Sequence, residues 1–76
     1  LKGIMAQVRA EETPTSKPMD GDIHLFQFGR TMSHCGVICD DLLYHAVFGT
    51  RLIAIPWNDA AWSSRRRKAF RIVEAE

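Results

Sequence analysis

Leu1, Ile4, Met5 and Val8 recur at i, i+3, i+4 and i+7, the spacing of one helical face, and Lys2, Gln7, Arg9, Glu11 and Glu12 cover the other. The pattern predicts a helix over residues 1–11, with Gly3 weakening its first turn by about 1 kcal/mol relative to alanine. Thr13-Pro14-Thr15-Ser16-Lys17-Pro18 breaks the periodicity, so residues 12–20 read as a linker loop. From Gly21 to Val73 the pattern is extended. Ile23–Phe28 and Cys35–Cys39 are short apolar runs, Asp40-Asp41 is a turn signal, and Leu42–Val47 is a third strand. Gly49-Thr50 turns the chain into a fourth strand, Arg51–Ile55, which Pro56 stops. Asn58 can cap a short helical turn through Trp62, and Lys68–Val73 closes the series. The expected fold is a single α+β domain over residues 1–76: a helix, a linker, then an antiparallel, meander-like sheet of about five strands. The connections are too short for parallel crossovers.

The composition fits this picture. A chain of 76 residues with 46% hydrophobic and 25% charged residues is long enough for one small core and too apolar for disorder. The net charge of +1 gives no global field toward nucleic acid, and no apolar run reaches the roughly 18 residues that span a bilayer. No signal-peptide pattern is visible, and the start at Leu1 suggests a processed or trimmed product. Two cysteines make no disulfide framework.

The hairpin around Asp40-Asp41 carries the sharpest chemistry. With these residues at the tip, Cys39 faces Leu42, Ile38 faces Leu43, Val37 faces Tyr44, Gly36 faces His45 and His34 faces Val47. Side chains alternate along a strand, so His34, Gly36 and Ile38 share a face with Leu43, His45 and Val47. The two histidines become diagonal neighbours, roughly 5–8 Å apart at Cβ. Gly36 would leave open space opposite His45. Such a pair suits a catalytic base and its orienting partner. A one-residue slip in register would separate them. By the same alternation Cys35 and Cys39 fall on the opposite face, which fits buried core cysteines and argues against a zinc site made with His34 and His45. Arg65-Arg66-Arg67-Lys68 reads as a solvated turn rather than a contact for nucleic acid, Trp57 and Trp62 as closing the end of the sheet, and His24 as a core or edge residue.

Gly21-Asp22-Ile23-His24-Leu25-Phe26, then His34-Cys35-Gly36-Val37-Ile38, then Tyr44-His45-Ala46, resembles the NlpC-type cell-wall cysteine peptidase pattern. Trp62-Ser63-Ser64-Arg65-Arg66 with Ala69-Phe70-Arg71 is similar to the ending of phage-tail-associated members. The resemblance spans about residues 18 to 73 and implies the sheet half of a papain-like domain that cleaves peptide stems of peptidoglycan. It implies His34 as general base and acid and His45 as the partner that sets its tautomer. No cofactor and no metal are expected. It also implies a cysteine nucleophile at the start of an upstream helix, and the predicted helix over 1–11 has none.

The expectation is therefore a fragment of a peptidoglycan-cleaving cysteine peptidase that keeps both histidines, lacks the nucleophile and is inactive alone. The alternative is a non-enzymatic binding or phage-tail assembly module on the same fold, a homodimer through an exposed apolar sheet face. The expected substrate is a peptidoglycan peptide, with neither membrane nor nucleic acid as partner. The family points to a bacterial cell envelope or a phage tail.

Overall fold

The chain alternates strands with tight turns, and its computed structural model, which describes residues 8–47 and 51–74, gathers them into one antiparallel sheet. The strands are β1 (Val8–Thr13), β2 (Ile23–Phe28), β3 (Thr31–Cys39), β4 (Leu42–Val47), β5 (Arg51–Pro56) and β6 (Arg66–Glu74). One helical turn, α1 (Ala60–Ser63), lies between β5 and β6. The spatial order is β1-β6-β2-β3-β4-β5. Strands β2 to β5 form a meander, and β6 returns to lie between β2 and β1.

The architecture is mostly β, which corrects the expected α+β class with its N-terminal helix. Residues 8–13 form strand β1, the only helix among the described residues is Ala60–Ser63, and residues 1–7 of the predicted helix lie outside the described residues. The physical reason lies in β6. Its edge offers β1 a continuous ladder from Val8 opposite Glu74 to Thr13 opposite Ala69. A helix of about eleven residues, closed by Pro14 and weakened by Gly3, is marginal on its own hydrogen bonds. The linker is correspondingly shorter than expected, because Glu12 and Thr13 belong to β1.

Asp40 and Asp41 form the hairpin tip with φ of +51° and +62°, a left-handed pair that short polar side chains tolerate. Cys39 then pairs with Leu42, Ile38 with Leu43 and Val37 with Tyr44, the register the turn dictates. The expected Gly36–His45 and His34–Val47 pairs lie beyond this ladder, and the side chain of Val47 is outside the described set.

The core sits on one face. Phe26, Ile38 and Leu43 are fully buried, and Ile55, Trp57 and Trp62 pack against them. The cover over this cluster comes from β5 (Ile55), the β5–α1 turn (Trp57) and α1 (Trp62). The cysteines correct another expectation. Cys35 and Cys39 do alternate to the far face, but both are exposed rather than buried in a core. Among the described residues nothing packs a second layer on that side of β3, and Val37 between them is 44% exposed.

Candidate active site

Three elements build the site. Strand β3 carries His34, β4 carries His45, and α1 carries Trp62. The helical turn is fixed at its start by Asp59, whose carboxylate accepts from the Trp62 N–H at 3.3 Å. Asp59, not the expected Asn58, is thus the cap. This places the Trp62 ring 4.3 Å from the His45 ring and 5.1 Å from the His34 ring, measured between centroids. Phe26 and Phe28 meet the same indole edge-on at 5.0 and 5.3 Å. The Trp62 ring therefore packs against both imidazoles, with Phe28 also against His34.

His34 Nε2 lies 3.2 Å from His45 Nδ1. One of these nitrogens donates and the other accepts, and burial decides which assignment is useful. His45 is only 6% exposed, while His34 is half-buried. Burial, and then the neighbouring His34, push the His45 ring below its ordinary value of 6.5, so it stays neutral. A neutral His45 that presents its Nδ1 lone pair accepts the Nε2–H of His34. His34 Nδ1 is then the free lone pair, and no described residue hydrogen-bonds it. If that nitrogen gains a proton, the resulting imidazolium still donates from Nε2 to a neutral acceptor. The arrangement suits a base that becomes an acid in a second step.

No thiol shares this face. Cys35 and Cys39 project to the exposed side of β3, away from His34. Cys39 instead joins Asp20 and Asp40 in an exposed cluster whose ligand atoms lie within 4.8 Å of one another. Lost hydration and the two carboxylates push its thiol upward, which keeps it protonated and a poor nucleophile. The same separation prevents His34, His45 and the two cysteines from converging on one zinc ion.

Gly36 was expected to leave open space beside the pair. It does not: a Cβ there would stand 2.5 Å from Leu43 Cδ1 and 3.0 Å from the Tyr44 carbonyl oxygen. The glycine is needed so that the Leu43 side chain can lie across β3.

The arginine run is not a plain solvated turn. Arg66 donates to the Trp57 carbonyl and to Ser63 Oγ, with its guanidinium over the rings of Phe26 and Trp57. Arg67 bonds Gln27 Oε1 and the carbonyls of Ser64 and Arg66. Arg66 and Arg67 thus direct these donors to groups of the chain itself. Sequence reasoning also missed Trp62 as the ring joining both histidines. Its only signal was an aromatic residue three positions after a capping aspartate.

No protein-family model and no curated protein matches the sequence. The likeness to NlpC-type peptidases accordingly rests on the short motifs and on their spacing.

Proposed function

We propose that this chain is the base-bearing part of an NlpC-like cysteine peptidase that hydrolyses peptide stems of peptidoglycan. His34 is the general base and acid, and His45 is its positioning residue. The observation that carries this reading is the 3.2 Å contact between His34 Nε2 and Nδ1 of a buried His45, whose ring is held below its ordinary value by burial. In the reaction, a cysteine from a segment outside this chain loses its proton to His34 Nδ1, and the thiolate attacks the peptide carbonyl. His34 returns the proton to the departing amine, and water then releases the acyl group from sulfur. His45 remains the acceptor throughout.

The test is to express the chain with whatever its gene encodes ahead of Leu1 and to follow release of stem peptides from purified peptidoglycan by mass spectrometry. Release should be blocked by thiol alkylation and should fall about 1000-fold in His34→Ala. The 76-residue chain alone should release nothing. Cleavage that survives His34→Ala, or an upstream sequence without a cysteine, would overturn the reading.

The far-face position of both thiols favours one second reading, a non-enzymatic binding or phage-tail assembly module on the same scaffold. Retention of peptidoglycan fragments without release by the longer protein would select it.

A further inference from the structure

Strands β1 and β5 are the two edges of the sheet, and they differ in what they offer a neighbour. Strand β5 carries Arg51 as its one charged residue and finishes at Pro56, which has no N–H to give a ladder. Strand β1 is exposed from Val8 to Glu12 and carries charges of opposite sign two residues apart. In the β1–β6 ladder Glu11 lies opposite Arg71 and Ala10 opposite Ile72. Arg9 and Glu11 therefore stand on the Arg71 face, and Val8, Ala10 and Glu12 on the other. Arg9 Nε and Nη2 both reach a single oxygen of Glu11, Oε2, at 3.2 and 2.8 Å. Among the described residues, nothing bonds Glu11 Oε1 or Arg9 Nη1.

We propose that the outer edge of β1 pairs with β1 of a second copy of this chain, joining the two sheets antiparallel about a two-fold axis level with Ala10. Facing residues in an antiparallel ladder point to the same side, so an axis normal to the sheet must lie level with a residue. An axis at Arg9 sets Arg9 against Arg9, and one at Glu11 sets Glu11 against Glu11. An axis at Ala10 sets Arg9 against Glu11 of the second copy, twice over. Opposite charges that face each other across a ladder attract and like charges repel, so the sequence rejects the first two registers and fits the third. Charges on an edge strand guard it against other partners, and here their alternation also selects one. On the opposite face Val8, 59% exposed, meets the methylenes of Glu12 of the second copy. Ala10 meets Ala10 there, between the two copies of the exposed Ile72. The contact is isologous, so it closes at two chains. Strands β6 and β2 separate β1 from β3, so the pairing leaves the histidines of both copies uncovered and is independent of any peptidase activity.

The experiment is analytical ultracentrifugation of the 76-residue chain over a wide concentration range. The chain should pass from monomer to dimer in the micromolar range, less readily as salt rises, and amide exchange over residues 8–13 should slow as the dimer forms. Arg9→Glu and Glu11→Arg, each alone, should weaken self-association about tenfold, because each sets like charges opposite one another twice. The two side chains are 60% and 51% exposed, so neither substitution should disturb the fold, as circular dichroism would show. Mixed in equal amounts, the two variants should form a heterodimer as tight as the wild-type dimer, since every facing charge pair is again of opposite sign. That recovery cannot arise within one chain, because each variant has lost its own contact between residues 9 and 11. A chain that stays monomeric at millimolar concentration, a dimer indifferent to Arg9→Glu, variants that fail to recover on mixing, or growth into open-ended oligomers would each overturn the pairing.

Discussion

His24 sits between Asp22 and Phe26 on the inner face with no exposed surface, and neither of its ring nitrogens meets a hydrogen-bond partner. An imidazole in that position loses its hydration without replacing it, which costs more than an apolar side chain would. Burial, then the charge of Arg66, push the ring below its ordinary value of 6.5, with Asp22 opposing. His45 is lowered in the same sense by burial and by His34. Below 6.5 the unfolded chain therefore binds more protons than the folded one. Stability contributed by these groups is whole above that value and declines as pH falls beneath it. The melting temperature should accordingly drop between pH 7 and pH 5. His24→Leu should raise stability at pH 7 by about 1 kcal/mol and flatten part of that decline, as followed by thermal denaturation across the range. A slope identical to wild type would clear His24 of any part in it.

At the level of elements, the histidine pair depends on how β3, β4 and α1 seat against one another. Gly36 allows Leu43, itself fully buried, to cross β3. A methyl group there meets the side chain close to its branch point and a backbone carbonyl that cannot swing aside. Gly36→Ala should lose about 1–3 kcal/mol in urea denaturation, and the His45 ring resonances should shift with the displaced β4. The one turn of α1 contributes chiefly through Trp62, which touches Phe26, Phe28 and both imidazoles. Trp62→Ala should cost about 3 kcal/mol and broaden the His34 and His45 signals, because the wall that limits their rotation is gone. A variant that keeps sharp, unshifted histidine signals would assign their rigidity to the strands alone. The hairpin register was legible beforehand because Asp40-Asp41 could only be its tip and alternation did the rest. Trp62 was not legible, since its neighbours come from β2, β3 and β4.

Across the whole molecule, β6 is the strand that closes the sheet, and Arg71 ties it to the loop before β2. Arg71 Nε and Nη2 reach the two oxygens of the fully buried Asp22 at 2.8 and 2.9 Å, and the Met19 N–H adds a third bond at 3.0 Å. The Arg71 contact holds the Asp22 carboxyl below its ordinary value of 3.8, against the opposing effect of burial. The folded chain thus resists protonation there. This contribution is complete above 3.8 and is lost as pH falls through the lowered folded value, a window below that of the histidines. Asp22→Asn should lower the melting temperature by several degrees at pH 7 and abolish the acid transition under pH 4. An unchanged acid limb would place its origin elsewhere.

Local pattern alone placed β2, β4, β5 and the Cys35–Cys39 part of β3, the tip of the hairpin and the face on which His34 and His45 stand, because alternation and turn chemistry act over a few residues. It could not determine the fate of Val8–Glu11. That segment has helical spacing but lies along an open edge of β6, and hydrogen bonds offered by a strand from the other end of the chain outweigh a weak local preference. Nor could it determine that Cys35 and Cys39 face solvent, that the Arg66 guanidinium lies over two aromatic rings and that of Arg65 over Phe28, or that Leu43 fills the space over Gly36. Each of these turns on what packs against a face, and only the folded sheet brings those partners together.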